Sequence, residues 1–189
     1  MSSIQNYAVK RYLSLMKAGI ISSGRLNDIP SMRLGFDRLV QQLEMPKNIY
    51  FKRFYIGELS AAWIKPYKAN DEVVLLYLHG GGYAVGSVTS HRALVARIAQ
   101  VSKVYALAID YRLAPENPFP AALEDAVVAY KWLLLNGYKA KNIVVAGDSA
   151  GGGLCLAMLL KLRDDAVDLP AAAVCLSPWT DPKFFNTCS

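Results

Sequence analysis

No stretch of this chain approaches the length of a membrane span. Its apolar runs, Val73–Leu78 among them, are strand length, whereas a crossing needs roughly 20 apolar residues. Lys10, Arg11 and Lys17 interrupt the N-terminus, and no small-residue cleavage pattern follows an apolar stretch. A signal peptide is therefore not expected, and the cytoplasm is the expected location. Cysteine is scarce: Cys155, Cys175 and Cys188 are odd in number and lack metal-ligand spacing, so they describe no disulfide framework. Cys155 and Cys175 lie in apolar runs and read as buried thiols. Charged residues make up only 19% against 53% hydrophobic ones, which excludes a disordered chain. Repeats, low-complexity tracts and basic stripes with interleaved aromatics are missing, and the last of these absences argues against a nucleic-acid partner.

The 189 residues suffice for one domain with a sizeable core and are too few for two. The net charge of +6 is uneven: residues 1 to 70 hold eleven Lys/Arg against four Asp/Glu, the remainder ten against eleven. The basic residues are scattered, so a solvated face on capping helices explains them better than an anionic partner.

Two period regimes follow one another. The first 45 residues read as a helical segment. Ile4, Tyr7, Ala8, Tyr12 and Leu15 fall near helical spacing before a stop at Gly19, and a second helix is expected from Ser31 to Leu43, ended by Pro46. Ile49–Gly57 and Leu59–Ile64 then alternate as a hairpin. From Glu72 onward strands and helices alternate: strands at Val73–Leu78, Val104–Ile109, Ile143–Ala146 and Ala171–Leu176, and helices at Thr89–Gln100, Ala121–Leu135 and Ala150–Leu162. In the second of these helices Leu123, Ala126, Val127, Tyr130 and Leu134 share a face and Gly137 is the C-cap. Repeated β-α-β with short apolar strands predicts a mostly parallel sheet with helices on both faces.

Gly147-Asp148-Ser149-Ala150-Gly151 has the form G-x-S-x-G between a predicted strand and a predicted helix. That is the setting of a nucleophile elbow, which predicts a positive φ at Ser149 and its Oγ projecting above the sheet. His79-Gly80-Gly81-Gly82-Tyr83 follows another strand, seventy residues earlier. Acyl transfer builds negative charge on a carbonyl oxygen, and backbone N–H groups fixed beforehand stabilise it. Gly81 and Gly82, with Ala150 as third, are the candidate donors. His79 is better suited to bracing this loop by a hydrogen bond than to acting as base. Arg112, Glu116 and Asp148 read as loop anchors, and Glu124 and Asp125 suit a helix N-terminus. Tyr83 either contacts substrate or fills space.

A third block, Asp110-Tyr111-Arg112-Leu113-Ala114-Pro115-Glu116 continuing through Phe119-Pro120-Ala121-Ala122-Leu123-Glu124-Asp125-Ala126, makes a resemblance specific. HGGGY, YRLAPE, PFPAALEDA and GDSAGGG in this order resemble the hormone-sensitive-lipase-like, bacterial family IV carboxylesterases, over about Ile49 to Pro178. The resemblance implies an α/β-hydrolase fold and hydrolysis of short- to medium-chain carboxylic esters without metal or organic cofactor. It also implies a small-molecule ester as partner, Ser149 as nucleophile, and Gly81, Gly82 and Ala150 as oxyanion donors. Residues 1–45 correspond to that family's helical cap, and residues 46–189 to an incomplete core of a single domain. The oligomeric state is left open.

In this fold an acid and then a histidine follow the serine. After Ser149 come Asp164, Asp165, Asp168 and Asp181, but no histidine. His91 opens the helix after the glycine loop and reads as an N-terminal or packing residue. The expectation is that the last strands, with the triad acid and base, lie outside these residues, that the parent has roughly 300 residues, and that the 189-residue chain alone is nearly inert. The strand at Ala171–Leu176 would then be a bare apolar edge. Two alternatives remain: a ligand-binding relative of the kind seen in the plant gibberellin receptors, or an inactive truncation product.

Overall fold

The computed structural model describes residues 29–41 and 43–180, without the side chains of residues 39–41. The expected first helix, with Ile4, Tyr7, Ala8, Tyr12 and Leu15, lies outside them, as do Asp181 and Cys188.

Helix α1 spans Ile29–Gln41, two residues ahead of its expected start. Pro30 falls in its first turn, where a missing N–H costs nothing, so Ser31 need not open the helix. Strands β1 (Ile49–Ile56) and β2 (Leu59–Pro66) pair antiparallel from Ile49↔Pro66 to Ile56↔Leu59. Their two-residue turn places Gly57 at φ 61°, a conformation that favours glycine at the first turn position.

Strand β3 runs Asn70–Leu78, three residues earlier than the apolar pattern suggested, with a register shift between Asn70 and Val74. Asn70, Asp71 and Glu72 are exposed, so no hydrophobic signal marked them. Helix α2 (Val88–Ser102) follows, then β4 (Val104–Asp110), α3 (Ala121–Leu135), a 3₁₀ turn at Ala140–Asn142, β5 (Ile143–Asp148), α4 (Ala150–Asp164) and β6 (Ala172–Leu176).

The sheet order is β1-β2-β4-β3-β5-β6, with β4, β3, β5 and β6 parallel. Alternate residues of the central strands serve two cores. Leu76, Leu78, Leu107 and Val145 join Tyr130 and Leu133 of α3 and Leu154 and Met158 of α4. Leu75, Tyr77, Ala106 and Ala146 join Val95, Ala96 and Ala99 of α2. Covered faces on both sides explain why these strands read as continuous apolar runs.

The buried face of α3 is turned slightly from the expected one. Ala126, Ala129, Tyr130 and Leu133 are buried, while Leu123 and Leu134 are only half-buried. Similarly, Cys155 is buried but Cys175 on β6 is half-exposed. Burial pushes the Cys155 thiol up to about 12, which keeps it protonated and unreactive at neutral pH.

Candidate active site

The end of β5 and the start of α4 leave one residue between them, and it is Ser149. Its backbone sits at φ 50° and ψ −117°. Such a sparsely populated conformation costs a residue bearing a Cβ on the order of 1–3 kcal/mol and persists only where surroundings enforce it. Three backbone bonds do so: Ser149 N–H donates to Leu176 O (2.9 Å), and Ser149 O accepts from Trp179 N–H (2.8 Å) and Gly153 N–H (3.1 Å). The flanking glycines are required by close approach. A Cβ on Gly147 would lie 2.5 Å from the Gly151 carbonyl, and one on Gly151 would run into Leu78 O. Ser149 is exposed, and its hydroxyl makes no capping bond to α4. The backbone is fixed and the side chain is left over.

Parallel pairing of Leu78 with Gly147 puts the loop leaving β3 beside the serine turn. In that loop Gly81, Gly82 and Tyr83 take φ values of 128°, 61° and 60° in succession. Gly81 O accepts from the N–H groups of Ala84 (3.1 Å) and Val85 (3.0 Å). The N–H groups of Gly81 and Gly82 donate to no group among the described residues. Ala150 opens α4, where a first-turn N–H has no partner within the helix. The sequence-predicted Gly81, Gly82, Ser149 and Ala150 therefore converge at the ends of two adjacent strands.

His79 is buried, with its ring stacked 4.2 Å from that of Tyr111 and its carbonyl accepting from Tyr111 Oη at 2.7 Å. Burial, then the neighbouring His91, drives its pKa down to about 4. The ring is neutral at physiological pH, and its Nδ1 lies 2.8 Å from Gly80 O. That contact assigns the proton to Nδ1 and leaves Nε2 buried without a hydrogen-bond partner. The geometry is that of a brace under the loop.

Asp148 joins the two motifs. Its Oδ1 accepts from Tyr77 Oη (2.8 Å) and from Gly80 N–H (3.0 Å), and His91 Nε2 lies 3.5 Å away. Burial alone would raise its pKa. Hydrogen bonding and charge from His91, with the Tyr77 and Gly80 bonds, outweigh this and hold the carboxyl below its ordinary value. His91 Nδ1 sits 2.9 Å from Ser90 Oγ and 3.2 Å from Ser87 O. Sequence reasoning placed His91 at the helix start but could not connect it with a residue 57 positions later.

Arg112 reaches Asp125 (2.9 Å), Glu124 (2.8 Å) and Ala121 O (3.3 Å), tying β4's exit to α3. Glu116 instead pairs with Arg33 of α1 at 2.7 Å, a partner nothing in the sequence indicated. Tyr83 packs 6.5 Å from Tyr111 and 5.9 Å from Trp179, ring to ring. Beside it lies a mainly apolar cavity of about 290 Å³, bounded by Phe119, Leu123, Leu154 and Ala157. Among the described residues, no group of three His, Cys, Asp or Glu side chains is placed to hold a metal, and no helix is long and apolar enough to cross a membrane.

Comparison with known proteins gives this geometry its context. The family described as alpha/beta hydrolase fold matches residues 75–188. An acetyl-hydrolase of Streptomyces hygroscopicus is 51% identical over 126 residues, 67% of this chain and 42% of that protein. The crystal structure of an esterase from the bacterial hormone-sensitive lipase family is 45% identical with a TM-score of 0.79, covering 81% of this chain and 52% of that one. This chain is a hormone-sensitive-lipase-like α/β-hydrolase. The structure of another esterase, EstE5 with PMSF, is 39% identical with a TM-score of 0.84, covering 95% of this chain and 60% of that one. The α/β-hydrolase chain thus spans about half the length of the relatives it matches.

Proposed function

We propose that this α/β-hydrolase chain carries the nucleophile and oxyanion half of a serine carboxylic ester hydrolase. The observation that supports it is the exposed Ser149 at φ 50° beside a loop whose Gly81 and Gly82 N–H groups have no described partner. Ser149 Oγ attacks the ester carbonyl while its proton passes to a base. The resulting oxyanion takes the N–H groups of Gly81, Gly82 and Ala150. Collapse breaks the C–O bond, and the leaving alkoxide takes the proton back to depart as the alcohol. Water, giving a proton to the same base, then attacks the acyl-Ser149 ester; the bond from Oγ to the acyl carbon breaks, the base returns the proton to Ser149 Oγ, and the carboxylic acid leaves.

His79 is a poor base, since burial and the neighbouring His91 lower its pKa to about 4 and its Nδ1 faces Gly80 O. No histidine follows Ser149 within the 189 residues, so the base and its acid belong outside this stretch. The names of relatives, acetyl-hydrolase and an ethyl acetate hydrolase of Pseudomonas putida among them, favour short acyl groups. The test is hydrolysis of p-nitrophenyl acetate and butyrate by the full-length gene product. Ser149→Ala should lower turnover on the order of 10⁶-fold, as in serine proteases that lose the nucleophile, with the fold retained by circular dichroism. Turnover that survives this substitution would refute the assignment.

A further inference from the structure

Three consecutive residues at positive φ do not hold themselves in place, least of all when the third is a tyrosine. Gly81–Tyr83 is therefore only as well defined as its attachments. From the sheet side, Asp148 holds Gly80 N–H, and Ala114 N–H donates to Tyr83 O at 2.8 Å. The other attachment comes from α1. Arg33 Nε donates to Ala84 O at 2.7 Å, immediately after the strained tyrosine. The same guanidinium donates through Nη2 to Ala114 O (2.9 Å) and through Nη1 and Nη2 to Glu116 (3.0 and 2.7 Å).

One fork thus fastens Ala84 to the very segment, Ala114–Glu116, that holds Tyr83 O. One turn further along α1, Asp37 Oδ1 accepts from Ser87 Oγ at 2.8 Å. Ser87 is the N-cap of α2, where the glycine loop ends. Positions i and i+4 share a helical face, so a single face of α1 grips the loop at residues 84 and 87.

We infer that Arg33 is a positioning residue for the reaction, and that Asp37 and Glu116 complete its grip: seating of α1 sets the glycine loop and so aligns the Gly81 and Gly82 N–H groups. This rests on the hydrolase reading above. Lysine cannot replace Arg33, because a single ammonium does not reproduce a planar fork serving Ala84 O, Ala114 O and a carboxylate together.

The experiment compares full-length wild type with Arg33→Ala, Arg33→Lys, Glu116→Gln and, as control, Arg163→Ala, which removes only an exposed pair with Asp164. Arg33→Ala should lower kcat for p-nitrophenyl acetate about tenfold to a hundredfold, the cost of a small misplacement at a reacting centre. KM should move less than about threefold, because ground-state binding is spared. Arg33→Lys should recover little, Glu116→Gln should lose less than Arg33→Ala, and Arg163→Ala should match wild type.

Amide exchange supplies a readout independent of turnover. In Arg33→Ala the Ala84, Val85 and Ala114 N–H groups should exchange faster while those of α3 and α4 stay unchanged. Unchanged kcat and exchange, full recovery by lysine, a change in KM alone, or acceleration spread over the whole protein would each overturn the inference. If wild type shows no ester hydrolysis, the hydrolase reading fails and the positioning role fails with it. The exchange pattern would then judge the clamp as a structural device alone.

Discussion

Strands β3 and β6 both bring an apolar segment into the parallel part of the sheet, yet they end in opposite states. Leu76 and Leu78 of β3 have no exposed surface, whereas Val174 and Leu176 of β6 are 46% and 39% exposed. On the α2 side an apolar groove of about 460 Å³ runs along β6, bounded by Leu94, Ile98, Val144, Val174 and Leu176. The glycine loop leaves the enclosed strand, and the Ser149 N–H donates to Leu176 O on the open one. The glycine loop is thus held by core and clamps on several sides, while the Ser149 turn is fastened to a strand with exposed side chains within these 189 residues.

Core truncation should expose this contrast most strongly. Leu76→Ala should cost about 2–5 kcal/mol. In the 189-residue chain Val174→Ala should cost less than about 1 kcal/mol, because a half-exposed side chain has little burial to lose. Denaturant unfolding of the two variants measures both values, and comparable losses would mean that β6 is covered in solution.

The acid response of the enclosed side is the next largest effect. A neutral, buried His79 with a pKa near 4 binds fewer protons than the unfolded chain between about pH 4 and 6.5. Stability should therefore be full above about pH 6.5 and decline by up to about 3 kcal/mol on acidification to pH 4. His79→Gln should flatten that slope while lowering stability at pH 7. Asp148 has a depressed pKa, so its contribution is present above the ordinary carboxylate range and is lost only at still lower pH, outside this window. An unchanged slope in His79→Gln would place the titration elsewhere.

Asp148→Asn should produce a smaller loss than either Leu76→Ala or acidification to pH 4. The amide oxygen still accepts from Gly80 N–H or Tyr77 Oη but loses the charge facing His91, a loss of about 1–2 kcal/mol in stability. A drop in kcat should accompany it, since the tie between serine turn and glycine loop loosens. Loss of stability without any change in kcat would make the residue purely structural.

The same contrast governs what could be read from the sequence. Wherever a strand is covered on both faces its apolar run is continuous, and β4, β5 and the helix Ala121–Leu135 were legible nearly to the residue. The positions of Ser149, Ala150, Gly81 and Gly82 at the ends of two adjacent strands were legible because the close approach there dictates glycine around them: Gly147 and Gly151 have no room for a Cβ. The start of β3 was hidden because Asn70–Glu72 carry exposed polar side chains, and of the three only Asn70 pairs with β4, ahead of a register shift. Helix α2 begins a residue early because Ser87 and Ser90 form a reciprocal capping box, in which a serine stands where a glutamate or glutamine is the usual signal. The Arg33–Glu116 and His91–Asp148 pairs join residues 83 and 57 positions apart, and no local pattern in one sequence encodes such pairings.

The most direct test of the central claim is to locate the reactive serine chemically. The full-length protein is treated with a fluorophosphonate, digested, and the modified peptide mapped by mass spectrometry, beside Ser149→Ala and beside residues 1–189 alone. One adduct is expected, on Ser149, lost in Ser149→Ala and almost undetectable in the 189-residue chain, which has no histidine after Ser149 to activate it. An adduct on another serine would contradict the account, and so would rapid Ser149 labelling in the 189-residue chain, which would put the base on His79 or His91.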